Sequence, residues 1–382
     1  MKKHLFLFAA AALGFASCSS DETIAENQSL AEANEISFRS LNNNLTRATE
    51  KTAFVDEDVI DVWAVYNTGT PAKYFQSNFT YDSDDGFTSA NKYYWPDLSS
   101  TNTLTFYATH NADAVQSAAG VAAYTPNAAA ASQKDVIVAY GVANSSTDKT
   151  AKFPLTFNHA LSEILVKVKT LENVYIEITG VRIGYVETSD GSVTFTGNTL
   201  GDISWSADYA TATGSETNAS ANMYEQTFSA VTLSGTTVGD ATPLGAAWML
   251  IPQSMKTTDS DTDDNAAEYS EAETDGATVT ATKPKFNCSF IALKMKISNW
   301  TGSAEGSALL AEQWCYWPIT TAWTPGKRYT YTINAAHAGY QPTDQDNDIN
   351  ITENDRVLKL SPIEFAITCS ISPWSDAAVA VP

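Results

Sequence analysis

Apolar residues at every second position set what this chain can become. Ile291, Leu293, Met295 and Ile297 alternate with Lys294, Lys296 and Ser298, and Ile363, Phe365, Ile367, Cys369 and Ile371 repeat the pattern without a break. A side-chain period of two puts alternate residues on opposite faces of an extended strand, so each run predicts a strand with one buried face. Shorter β-type runs recur at Val59 to Tyr66, Leu104 to Ala108, Asp135 to Ala139, Leu161 to Lys169 and Val174 to Ile183. Others are Trp248 to Pro252, Trp314 to Ile319 and Tyr329 to Ile333. Asp85-Gly86 and Asp190-Gly191 read as hairpin turns, the first returning the chain toward Tyr93-Tyr94-Trp95. The Ala-rich stretch from Asn111 to Ser132, broken by Gly120 and Pro126, reads as a surface excursion with at most one short helix. Composition agrees, since 9 Trp, 17 Tyr and 16 Phe beside only 17% charged residues suit half-buried strands. The strands up to about residue 190 fill one sandwich and the rest fill a second. The expected fold is therefore all-β, two tandem β-sandwich domains with a boundary between 185 and 200.

Charge narrows the function. Against 44 Asp+Glu stand 22 Lys+Arg, a net charge of −22, which argues against neutralising the phosphates of nucleic acid. The segment from Thr257 to Thr278 holds eight acidic residues. Asp259, Asp261 and Asp263 have the spacing of a calcium loop, but Asp264 replaces the turn glycine and Ser270 the closing glutamate, so a solvated loop is the reading. No nucleophile elbow, zinc-protease motif or phosphate loop occurs, and His110, His159 and His337 are far apart in β-type sequence. No enzyme activity, metal site or cofactor is expected. Cys288, Cys315 and Cys369 lack metal-ligand spacing; buried thiols acting as small hydrophobes are the default, with one disulfide among them the alternative.

The N-terminus reads as a targeting segment. Lys2 and Lys3 precede an apolar run from Leu5 to Phe15, too short to span a bilayer, and Phe15-Ala16-Ser17-Cys18 has the form of a bacterial lipobox. Residues 1–17 are then a lipoprotein signal peptide, and Cys18 carries the lipid (palmitate) on a polar, acidic tether. After the tether come Ile36-Ser37-Phe38, a short alternation, and a polar loop from Leu41 to Thr49 with a lone Arg47.

These pieces, in order, resemble the fimbrillin superfamily of Bacteroidetes pili. The matching segments are Cys18, Ile36-Ser37-Phe38, Thr46-Arg47-Ala48-Thr49, Asp58 to Ala64, Tyr93-Tyr94-Trp95-Pro96 and Leu104 to Ala108. They continue with Gln133 to Ile137, Phe157 to Ser162, Leu250-Ile251-Pro252-Gln253, Pro325 to Tyr331 and Ile371-Ser372-Pro373-Trp374. Asp61 departs from a position where the family often has Gly.

The resemblance implies transthyretin-like sandwiches over residues 48–190 and 191–382, and removal of 18–47. In the family, a lipidated precursor reaches the outer membrane and an Arg-specific protease cuts after the first strand. A donor strand from another subunit then fills the exposed groove, building the extracellular fimbrium. Carried over, Arg47–Ala48 is the scissile bond, and Ile36 and Phe38 belong to the lost strand. Trp374, Val379 and Val381 lie in the candidate donor, although a docked last strand explains Ile363 to Ile371 equally well. The implied partners are other fimbrial subunits in a homo- or hetero-polymer, the outer membrane, the protease and a receptor on host or bacterial surfaces. A surface lipoprotein that binds glycans through exposed aromatics is the alternative.

Overall fold

A computed structural model of the protein describes residues 34–41, 54–110, 114–149, 152–169, 174–206, 222–235, 241–256, 289–334, 340–342, 351–356 and 367–373. These residues are all-β, with three short 3-10 turns as the only helical elements among them.

The first nine strands are β1 (Phe38–Ser40), β2 (Val59–Asn67), β3 (Pro71–Asp82), β4 (Gly86–Thr88), β5 (Thr103–His110), β6 (Val115–Ala118), β7 (Val121–Tyr124), β8 (Ile137–Ala143) and β9 (Phe153–His159). Seven of them close into a barrel in the order β1-β4-β3-β2-β5-β8-β9. The period of two explains its filling. Ile60, Val62 and Ala64 on β2, and Leu104, Phe106 and Ala108 on β5, are fully buried, while Asp61, Trp63, Val65, Thr103, Thr105 and Tyr107 between and beside them are half-buried. Phe38, Phe54, Phe75, Phe79, Phe87, Trp95, Phe106, Phe153 and Phe157 complete a core rich in rings.

Next follow β10 (Ser162–Lys169), β11 (Val174–Gly184), β12 (Gly191–Phe195), β13 (Ile203–Trp205), β14 (Met223–Gly235), β15 (Thr242–Pro243) and β16 (Trp248–Leu250). The last are β17 (Phe290–Trp300), β18 (Glu305–Pro318), β19 (Lys327–Asn334), β20 (Tyr340–Pro342), β21 (Ile351–Arg356) and β22 (Ile367–Pro373). One sheet runs β15-β10-β19-β22 with β16 also on β10, and a six-stranded sheet runs β14-β11-β17-β18-β20-β21. Ile164, Val166 and Val168 of the first sheet meet Ile176, Ile178, Leu293 and Met295 of the second in one core with Trp248 and Trp317. A third sheet, β13-β12-β7-β6, covers a smaller core with Val136, Val138, Leu161, Met249 and Ile251.

Sheet membership shifts near residue 160, where β10 pairs in parallel with β19 and β11 pairs with β14 and β17. Three expectations change. Asp190-Gly191 is not a hairpin turn: β12 leaves β11 and pairs with β7 and β13. The Ala-rich stretch forms β6 and β7 around Gly120, whose φ is +69°. Glycine is required there, since a Cβ would sit 2.6 Å from the Tyr107 ring and 2.5 Å from the Phe195 carbonyl oxygen. Tyr93 to Trp95 form no return strand; the hairpin partner of β3 is the three-residue β4. At the other end, Ile367 to Pro373 dock on β19 as an ordinary antiparallel strand.

Candidate functional site

Among the described residues, barrel closure passes through β1, which sits between β4 and β9 in the ring. On one side Phe38 faces Phe87 in an antiparallel pair, and on the other Phe38, Arg39 and Ser40 run parallel to Phe153, Pro154 and Leu155. The Phe153 N–H donates to the Ser37 carbonyl at 2.8 Å and the Leu41 N–H to the Leu155 carbonyl at 2.9 Å. Ile36 and Phe38 are 1% and 0% exposed. The Phe38 ring meets Phe79 and Phe106 edge-on, each with centroids 4.9 Å apart. Without β1 the barrel would be a six-stranded sheet whose two edges, β4 and β9, flank a slot lined by Phe79, Phe87, Phe106 and Phe153. Unpaired edges beside apolar pockets are what strand addition requires.

The residues before β1 pair with a loop. Ile36 N–H donates to the Tyr93 carbonyl at 2.7 Å, Trp95 N–H donates to the Asn34 carbonyl at 3.0 Å, and Glu35 bridges Tyr94. Lys92 Nζ lies 2.7 Å from Glu35 Oε1. The loop is seated by its own rings: Tyr93 stacks on Phe75 at 4.1 Å, and Trp95 packs against Phe106 and Phe153. Sequence reading missed Glu35 and Lys92 as a pair because only the folded barrel brings positions 57 residues apart together.

Gly86 adapts β4 to β1. Its φ is +71°, and a Cβ there would lie 2.5 Å from the Phe38 carbonyl oxygen. Gly86→Ala is expected to cost about 2 kcal/mol, from left-handed strain together with this contact. The loss should shrink once residues 34–41 are gone, as urea titration of full and trimmed protein would show.

The other singled-out residues do not converge. Cys18, Arg47, Ala48, Trp374, Val379, Val381, Cys288, His337 and the acidic 257–278 segment lie outside the described residues. His159 pairs with Asp135 where β8 and β9 meet, and His110 Nδ1 lies 2.8 Å from the Val59 carbonyl. Among the described residues no three His, Cys, Asp or Glu side chains are grouped to hold a metal. Cys315 is fully buried, and Cys369 is half-buried with its thiol pKa pushed up by burial. Asp61 accepts a 3.0 Å bond from Gln76 Nε2, and burial raises its carboxyl above the ordinary value despite that donor.

The fold is all-β, with a barrel that a short strand closes. A fimbrial protein from Bacteroides vulgatus, 14% identical, matches over 90% of this chain and all of its own with a TM-score of 0.54. More distant are a cell adhesion protein, described as putative, from Parabacteroides distasonis and the tip fimbrial protein Mfa3 from Porphyromonas gingivalis. The first is 11% identical, over 90% of this chain and 98% of its own, with a TM-score of 0.46. Mfa3 is 10% identical, over 89% and 98%, with a TM-score of 0.33. The sequence profile of the Fimbrillin-like family matches residues 46–353, and the chain belongs to that family. Comparison with curated proteins gives no match. Membership supports a non-enzymatic fimbrial adhesion subunit of the cell surface that assembles with other fimbrial subunits.

Proposed function

We propose that this protein is a structural subunit of surface fimbriae, assembled from a lipidated precursor by Arg-specific cleavage and donor-strand exchange, and supporting adhesion. One observation carries the reading: among the described residues a three-residue strand holding buried Phe38, with buried Ile36 just ahead of it, is what joins β4 to β9, and the polar sequence Leu41 to Thr49 with Arg47 follows it in the chain. Lipid on Cys18 holds the precursor at the outer membrane. Cleavage at Arg47–Ala48 frees β1, and a segment containing Trp374, Val379 and Val381 from another subunit takes its place, its backbone pairing with the edges of β4 and β9 and its alternate apolar side chains filling the places of Ile36 and Phe38.

Electron microscopy of protein treated with an Arg-specific protease tests this. The expected result is loss of one N-terminal fragment followed by fibres, with neither in Arg47→Ala. A stable monomer after cleavage at Arg47, with unchanged surface assembly of Arg47→Ala, would falsify it. The glycan-binding alternative gains no support from the described tryptophans, none of which is exposed. Trp95, Trp248, Trp317 and Trp323 are buried, while Lys73 and Arg182 lie 3.9 and 3.8 Å from the ring centroids of Trp63 and Trp314.

A further inference from the structure

The slot occupied by β1 does not by itself fix the register of a strand that replaces it. Its buried anchors, Ile36 and Phe38, are two positions apart, so an alternating apolar segment fits at more than one offset. In Asp376-Ala377-Ala378-Val379-Ala380-Val381 the residues Ala377, Val379 and Val381 share one face when extended. Either Ala377 with Val379, or Val379 with Val381, matches the two anchor positions. Ser37 between the anchors is 8% exposed and calls for a small residue, but Ala378 and Ala380 satisfy it equally.

The offsets differ in apolar filling, with Ala377 or Val379 at the Ile36 position, and in what stands one position ahead of the first anchor. There Glu35 bridges Tyr94 and meets Lys92, and the Trp95 N–H reaches the carbonyl of Asn34. This loop has supports that do not involve the N-terminal segment. The Tyr74 hydroxyl donates to the Tyr94 carbonyl at 2.7 Å and the Tyr66 hydroxyl to the Asp97 carbonyl at 2.6 Å, while Tyr93 and Trp95 are seated in the barrel. Departure of residues 34–41 therefore leaves a lysine and a short backbone edge in place beside the slot.

We propose that Lys92 and the 93–95 backbone read the register of the entering strand by selecting an acid immediately before its first apolar anchor. The occupant is residues 376–379 of a second copy, running parallel to β9 as β1 does. Asp376 takes the place of Glu35, Ala377 that of Ile36, Ala378 that of Ser37 and Val379 that of Phe38. At the other offset Ala378 would stand opposite Lys92, and the ion pair would be lost. The proposal rests on the strand-exchange reading and adds to it the chemistry of the strand: acid, apolar, small, apolar.

The test is fluorescence anisotropy with labelled peptides spanning residues 374–382, titrated with protein trimmed by an Arg-specific protease. Against wild-type protein the Asp376→Asn peptide is expected to bind about threefold more weakly, and Asp376→Lys more weakly still, the scale of an exposed ion pair. Lys92 is 55% exposed, so Lys92→Glu should fold normally. With that variant the order should invert, Asp376→Lys binding best, which gives the coupling of a double-mutant cycle. Equal binding of all three peptides to both proteins, with Val379→Asp abolishing it, leaves strand exchange standing and overturns the register reader. If no peptide binds the trimmed protein, both readings fall.

Discussion

Phe38→Ala in the full-length chain is expected to lower the stability of the barrel by about 3–5 kcal/mol, the range for truncating a buried phenylalanine. The ring is wholly buried, and its edge contacts with Phe79 and Phe106 tie β1 to β3 and β5 across the core. Collapse around the void is resisted because Phe75, Phe79, Phe106 and Phe153 already pack against one another. Arg39→Ala, one residue along and exposed, should stay within about 0.5 kcal/mol and serves as the control. Urea denaturation of both variants measures the difference. A loss below about 1 kcal/mol for Phe38→Ala would show that the barrel does not depend on this anchor. The expected contrast also has a functional side. With so few ladder bonds in a three-residue strand, two side chains supply most of the hold, so an exchanging strand competes chiefly with Ile36 and Phe38.

The strands that alternate most strictly were the most readable ones. On β17 most of the sequence pattern appears as burial, with Ile291, Leu293, Met295 and Ile297 inside and Lys294 and Lys296 half-buried, but Ser298, on the polar side of the alternation, is fully buried and donates to Glu305. The all-β class follows from this period, but of Ile36-Ser37-Phe38 only Phe38 lies inside a strand, Phe38–Ser40. Long-range pairing was not readable in the same way. β10 finds β19 in a parallel ladder that joins Glu163 to Arg328 across 165 positions, and nothing local marks where one sheet ends and the next begins. Alanine hid β6 and β7, because its weak strand preference masks a face on which Ala122 and Tyr124 are buried. The loop against Glu35 was missed for a related reason. Tyr93-Tyr94-Trp95 has strand composition, but its partner is the short segment before β1, which local pattern cannot identify.

Arg328→Ala is the other substitution expected to be severe, at about 3–5 kcal/mol, because it strands a buried carboxylate. Glu163 is 3% exposed, and its carboxylate accepts a hydrogen bond from Arg328 Nε across the parallel β10–β19 ladder. The attraction within such a pair roughly offsets what both ions lose on leaving water; removing one partner leaves that cost uncompensated. The double variant Glu163→Gln/Arg328→Met should therefore recover most of the loss, although it restores no ion pair. Chemical denaturation of the two single variants and the double variant decides this. An Arg328→Ala cost under about 1 kcal/mol, or a double variant no better than Arg328→Ala, would remove the argument. The position links the pair to assembly. Arg328 also faces Ser372 of β22, and β22 ends at Pro373, directly before Trp374 and the candidate donor residues. In the proposed exchange, weakening β19 loosens the base of the candidate donor, whereas Phe38→Ala acts on the strand that the donor displaces. In the proposed exchange Arg328→Ala should thus impair a subunit as donor while leaving its slot competent, and Phe38→Ala should ease the opening of the slot while leaving the donor intact.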